Sequence, residues 1–217
     1  MAPAPAFTVV SAAGFTPGPI AAGSIATIFG KNLATTSDVT IEDSTGTTLA
    51  ASVLFASPSQ FNFVVPATLN TGPATVTIGS QTTGVALTPL APSLFTLNEQ
   101  GIAAAYVTRV ASGGAVTYEP VATLRNGVYA PVPIDVTSGS AYLILFGTGF
   151  RDASNLRALV NGSAVEVVYA GPQPSFPGLD QVNLLLPASL SGSGCSNVAV
   201  SSGPLGLSSN TVYVCIR

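Results

Sequence analysis

The chain of 217 residues is long enough for one large or two modest domains, each burying a core. Hydrophobic residues make up 47% of it, while Asp, Glu, Lys and Arg together supply only 7%, against roughly a quarter in ordinary globular proteins. A formal charge of -3 excludes the dense basic surface that nucleic acid demands, and no stretch approaches the ~20 apolar residues of a spanning helix.

With so few charges, the polar surface must come from Ser, Thr, Asn, Gln and Gly. That composition favours strands, and the 22 Gly and 17 Pro supply turns. Residues 1–6 form a Pro/Ala tail, expected to be extended. It lacks a basic segment and an apolar core, so no signal peptide is expected within this chain. Phe7-Thr-Val-Val10 opens the first strand, and Gly23-Ser-Ile-Ala-Thr-Ile-Phe-Gly30 is a second, bounded by glycines. Residues 39–41 and 47–55 suggest a hairpin across Asp43-Ser-Thr-Gly46. Ser57-Pro58 breaks the chain before Gln60-Phe-Asn-Phe-Val-Val-Pro66, a buried strand that must stop at its proline. Residues 72–78 and 85–88 then give a last hairpin.

A second copy of this order follows. Gly139-Ser-Ala-Tyr-Leu-Ile-Leu-Phe-Gly147 matches residues 23–30 with one extra residue, and Val167-Val-Tyr-Ala-Gly-Pro172 matches Val53-Leu-Phe-Ala-Ser-Pro58. Between them Asn161-Gly162 carries the dipeptide most favoured in tight hairpins. Gln181-Val-Asn-Leu-Leu-Leu-Pro187 repeats the Gln-x-Asn strand. Four matched blocks in one order indicate a duplication. The expected layout is an all-β chain of two tandem immunoglobulin-like sandwiches, residues 7–90 and 91–217, joined near Ala91-Pro92. The second carries an insertion around residues 98–138, with strands at 102–110 and 115–121 and a turn at 125–129. Almost no helix is expected.

The two cysteines sit in residues 196–201 and 210–216 or beside them, which suggest a hairpin across Gly203-Pro-Leu-Gly206. The register that opposes Val198 with Val212 also opposes Cys195 with Cys215, and directly opposed strand cysteines meet disulfide geometry. A disulfide implies an exported protein, extracellular or on a cell surface.

The run Phe15-Thr-Pro-Gly-Pro-Ile-Ala-Ala-Gly-Ser-Ile-Ala-Thr-Ile-Phe-Gly-Lys-Asn-Leu33 resembles the opening of the Solibacter-type uncharacterised C-terminal domain family. Residues 60–66, Ala91-Pro-Ser-Leu-Phe95, residues 181–187 and Ser209-Asn-Thr-Val212 extend the likeness over nearly the whole chain. The strand followed by Gly-x-x-Leu is also similar to IPT/TIG immunoglobulin-like domains. The resemblance implies a secreted or surface-attached bacterial protein and no catalytic residues. The second copy departs at Gly147-Thr-Gly-Phe150, where Thr148 and Gly149 stand for Lys31 and Asn32. The cysteine pair is a local addition to the pattern.

Histidine is absent, which removes Ser-His-Asp and Cys-His catalysis and imidazole metal sites. Nine carboxylates are scattered, with no spacing that singles out an acid pair. Glu42-Asp-Ser-Thr45 and Arg151-Asp-Ala-Ser-Asn155 are the densest oxygen clusters, and turn chemistry accounts for both. Asn161-Gly-Ser163 is a formal glycosylation sequon that a hairpin turn already explains. Lys31 with Asn62 and Glu42 supplies the residue types of an isopeptide cross-link, set against a plain solvated lysine. The repeated amides Gln60, Asn62, Gln181 and Asn183 lie on one strand face at spacing two. They either read a polar ligand or, as a feature of both copies, bond the backbone of a neighbouring loop or the other domain.

No cofactor is expected. The function expected is a non-catalytic structural or interaction protein, a surface spacer, adhesion or self-assembly module. Its partner would be a protein, itself included, engaged by edge-strand contact, with Phe7, Thr8, Val9 and Val10 as the candidate segment. The alternative is a carbohydrate-binding module using Tyr106, Tyr118, Tyr129 or Tyr142 as stacking surfaces on polysaccharide.

Overall fold

The structure is a computed structural model and describes residues 7–33, 38–202 and 207–217. The Pro/Ala tail and the turn expected at residues 203–206 lie outside them. The first half holds β1 (Phe7–Ser11), β2 (Ile20–Ala21), β3 (Ile25–Gly30), β4 (Val39–Glu42) and β5 (Thr48–Ala50). It continues with β6 (Ser52–Ala56), β7 (Gln60–Val64), β8 (Gly72–Ile78) and β9 (Gln81–Thr88). The second half holds β10 (Ser93–Leu94), β11 (Ala105–Val110), β12 (Val116–Pro120), β13 (Ala122–Arg125), β14 (Val128–Pro131) and β15 (Ser140–Thr148). After these come β16 (Leu156–Val160), β17 (Ser163–Pro172), β18 (Asp180–Leu186), β19 (Gly194–Ser202), β20 (Leu207–Ser208) and β21 (Val212–Ile216). Among the described residues the one helical element is the 3₁₀ turn Ala188–Leu190.

The chain is an all-β sandwich fold. In the first half a four-stranded sheet in the order β1-β3-β7-β6 faces a five-stranded sheet in the order β2-β9-β8-β4-β5. Alternation decides which side chains meet between them. On β7, Phe61 and Phe63 are buried while Gln60, Asn62 and Val64 turn outward, and on β3 Ala26 and Ile28 face inward. The second half uses the same pairings. β15, β18 and β17 repeat the β3-β7-β6 order, and β17, β16, β19 and β21 repeat β5-β4-β8-β9. The buried apolar residues fall into two clusters, one built on Phe7, Ile28, Phe61 and Phe63, the other on Leu143, Leu145, Phe150 and Leu184. The expected junction at Ala91-Pro92 lies between the two in sequence.

The strand expected over residues 47–55 is divided. β5 pairs with β4 in one sheet and β6 pairs with β7 in the other. Ala51 makes the crossing, its N–H bonded to the Val39 carbonyl at 2.8 Å. In the second half β17 makes this crossing unbroken, residues Ser163 to Val165 pairing with β16 and Glu166 to Pro172 with β18. Both crossings are followed by a bulge in the same place. The register slips between Val53 and Phe55 opposite β7, and between Val167 and Tyr169 opposite β18. A bulge adds local twist, which is how a strand leaves one layer for the other.

Smaller differences from the expected elements follow from polar alternation. β9 starts at Gln81 rather than residue 85, because Gln-Thr-Thr-Gly pairs with β8 without an apolar signal. The turn expected at residues 125–129 is a hairpin of β13 and β14 across Asn126 and Gly127. Asn161 and Gly162 both have positive φ (50° and 79°) between Val160 and Ser163, the two-residue turn that this dipeptide favours. Cys195 and Cys215 are directly opposed on β19 and β21 and form a disulfide.

Candidate functional site

The outer faces of β3 and β7 meet the second half of the chain along a seam. The Ile25 N–H donates to Thr148 Oγ1 at 2.8 Å, and the Thr148 hydroxyl donates to the Gly178 carbonyl at 2.7 Å. A Cβ on Gly178 would stand 2.6 Å from Ile25 Cγ1, so this residue must be glycine for the loop to approach. Arg151 packs over Gly23 in the same way and reaches Asp180 Oδ1 at 3.0 Å. Asp180 is fully buried and also accepts from the Phe150 N–H at 2.8 Å. Burial pushes its carboxyl up, while the Phe150 N–H and the Arg151 guanidinium pull it down. Beyond Arg151, Asn210 accepts from the Leu94 N–H at 2.8 Å and donates to the Leu94 carbonyl at 2.9 Å, fixing β10 close to Gly14.

Where the two halves do not touch, the seam opens into a groove of adjoining hollows. A hollow of about 310 Å³ lies between Ile25, Leu54, Phe176 and Leu179. It shares Ile25 and Leu54 with a second, about 370 Å³, that runs past Phe55, Asn62 and Phe95 to Phe15. A third, about 540 Å³, continues from Phe15 and Thr96 to Glu99, the acid at that end. The rim is apolar and solvent-facing: Leu54 is 51% exposed, Phe176 64% and Phe15 55%. Phe15 leans on Phe29 with ring centroids 5.7 Å apart. Strand β6 borders the groove at the edge of its sheet, and all five of its residues, Ser-Val-Leu-Phe-Ala, are exposed.

The sequence-derived candidates are distributed unevenly around this groove. Phe7, Thr8, Val9 and Val10, the candidate segment for edge-strand contact, lie in β1, which like β6 stands at an edge of the four-stranded sheet. They pair with β3 residue by residue, and Phe7 and Val9 belong to the core. The more exposed edge is β6, whose Val53, Leu54 and Phe55 belong both to the strand expected over residues 47–55 and to a repeated block. Asn62 lines the groove, and its Oδ1 accepts from Thr27 Oγ1 at 3.0 Å and Gln60 Nε2 at 2.9 Å. Gln181 Nε2 likewise donates to Asn183 Oδ1 at 2.8 Å. Among the described residues the repeated amides therefore bond each other along the strand, not the backbone of a loop or of the other half.

Lys31, Asn62 and Glu42 are not brought together as a cross-link requires. Lys31 is exposed beyond β3, Glu42 is an exposed residue of the opposite sheet, and Asn62 already accepts from Thr27 and Gln60. In the cluster of residues 42–45, Asp43 accepts from Thr45, Thr47 and Asn70, so N–H and O–H donors fill its oxygens as turn chemistry predicts. In the cluster of residues 151–155, Arg151 turns to Asp180. Tyr106, Tyr118 and Tyr142 lie on registers of one outer sheet face, while Tyr129 is on the separate β13–β14 hairpin. The seam roles of Thr148, Arg151, Gly178 and Phe176 are not legible in the sequence. The one signal available was the departure of the second copy from the first at Thr148 and Gly149. No protein-family model matches this chain, and no curated protein matches it.

Proposed function

We propose that this chain is a non-catalytic contact protein of the cell exterior that associates with further copies of itself through the seam groove and the β6 edge. The carrying observation is the set of exposed apolar side chains Leu54, Phe55, Phe15 and Phe176 that line the adjoining hollows. Soluble monomers seldom expose contiguous apolar patches of that kind unless something covers them. Weak charge leaves two copies little to repel, because only 7% of residues are charged. The bulge at Leu54 interrupts the free edge of β6, so the contact rests on side chains entering the groove more than on an added ladder.

The finer elements of the reading belong to the same proposal. The shared pairing order and the matched bulges favour an ancestral duplication of one immunoglobulin-like sandwich. The Cys195–Cys215 disulfide is compatible with an oxidising exterior, as is the resemblance to secreted bacterial surface domains. Sedimentation velocity across serial dilution tests the association. The wild type should sediment faster as concentration rises, and Leu54→Lys, a change at an exposed position, should remain a monomer. A wild type that is monomeric at every concentration overturns the reading.

A further inference from the structure

The second half carries a different surface on the sheet face turned away from its core. There the insertion adds β11 and β12 beside β15, giving the strand order β12-β11-β15-β18-β17. Register places Pro120, Tyr106, Ile144, Asn183 and Tyr169 in one row across all five strands. The row beside it reads Tyr118, Thr108, Tyr142, Leu185 and Glu166, and Phe146 opposes Gln181 in the next. The intervening residues Val107, Leu143, Leu145, Val182 and Leu184 are in the core, so these rows lie on the opposite face of the sheet, where Ile144 is buried at 4% exposure between half-buried Tyr106 and Asn183. The Tyr106 ring lies 5.9 Å from that of Tyr118 and 6.0 Å from that of Phe146. Tyr118 is 73% exposed. Among the residues of these rows, Glu166 at the β17 margin is the charged one.

We infer that this face binds a neutral polysaccharide chain. Three properties select that ligand. First, the aromatic rings offer apolar surface to the C–H face of a sugar ring while their hydroxyls stay wet. Second, the Gln181–Asn183 bond uses one N–H of Gln181 and the Oδ1 of Asn183. It leaves Gln181 Oε1 as an acceptor and Asn183 Nδ2 as a donor, with no protein partner among the described residues. An acceptor and a donor held side by side match two neighbouring hydroxyls of a sugar. Third, the face spans several strands about 4.8 Å apart, which suits a chain laid across it better than a small molecule. A phosphorylated or strongly acidic glycan has no cation in these rows to meet it. The first half repeats the amide pair at Gln60 and Asn62, but there the outer face is taken up by the seam.

Binding is tested with the intact chain on insoluble cellulose and chitin, and by native electrophoresis through soluble xylan and mixed-linkage β-glucan. At least one of these should retain the wild type, with retention unchanged in high salt. Tyr118→Ala removes a ring that lies outside the core, and it should weaken retention about tenfold or more. Gln181→Ala should weaken it too, through loss of the acceptor. Leu54→Lys should bind glycan like the wild type, so this inference and the self-association reading fail separately. Retention by none of the four polymers, equal retention of Tyr118→Ala, or release by salt would each overturn the inference.

Discussion

Arg151 and Asp180 form a pair whose energetics depend on staying together. Asp180 is fully buried and the Arg151 side chain is 21% exposed. Taking either partner away leaves a charge in a site built for two, a cost of about 3–5 kcal/mol where burial is complete. Arg151→Met should therefore destabilise the chain by about 3 kcal/mol at neutral pH. Burial already holds the Asp180 carboxyl above its ordinary value. In the variant it should rise further, so the folded state binds the proton more readily than the unfolded chain. The penalty is then full at neutral pH and shrinks as pH falls toward 4 and the acid becomes neutral. Urea titrations at the two pH values check this, and Arg151→Met with Asp180→Asn should recover most of the loss.

Asp43 carries the opposite sign. Chiefly the Asn70 N–H, and then the Thr45 hydroxyl, hold its carboxyl well below the usual range. Its contribution to stability is present above the unfolded-state value near 4. It is lost as pH falls through the depressed folded value. Asp43→Asn should be less stable than wild type at neutral pH, and the gap should close in acid. Acid titrations of both proteins by circular dichroism measure it.

At the scale of strands, β19 and β21 depend on a link that closes across a separation of 20 residues. The loop model gives such a link up to ~3 kcal/mol. Cys195→Ser with Cys215→Ser should lower stability by that much or less, read from thermal unfolding with and without reductant. This pair was legible in the sequence because strand register is a local rule: once Val198 opposes Val212, the cysteines must meet. The two Gln-x-Asn strands and the Asn161-Gly162 turn were legible for the same reason. Periodicity tells which face of a strand is buried, but not which sheet the strand joins. Residues 47–55 alternate as one strand would, and only packing of two layers divides them at Ala51. Partners of the repeated amides were also out of reach, since a Gln two residues before an Asn reaches it only when both extend along one face.

For the molecule as a whole, the decisive question is whether the two cores act as one. Each cluster of buried residues is enclosed by the strands of its own half. The loop at Gly178 packs on Ile25 and Val64 across the seam, and the hydrogen bonds there centre on Thr148: its oxygen accepts from Ile25 of one half and its proton goes to Gly178 of the other. Thr148 is 1% exposed, so its hydroxyl is shielded from water. Thr148→Val keeps the shape and removes both, leaving the half-buried Ile25 N–H and the buried Gly178 carbonyl unpaired at about 1–3 kcal/mol. Because that loss falls on the seam and not on a core, it should weaken coupling more than it weakens either half. In calorimetry the wild type should unfold in one transition and Thr148→Val in two overlapping ones. The Ile25 amide should exchange faster while those of Phe61 and Leu184 stay protected. Groove geometry would loosen with the seam, so self-association should fall in the same variant. Glycan retention, which rests on β11, β15 and β18 inside one half, should not.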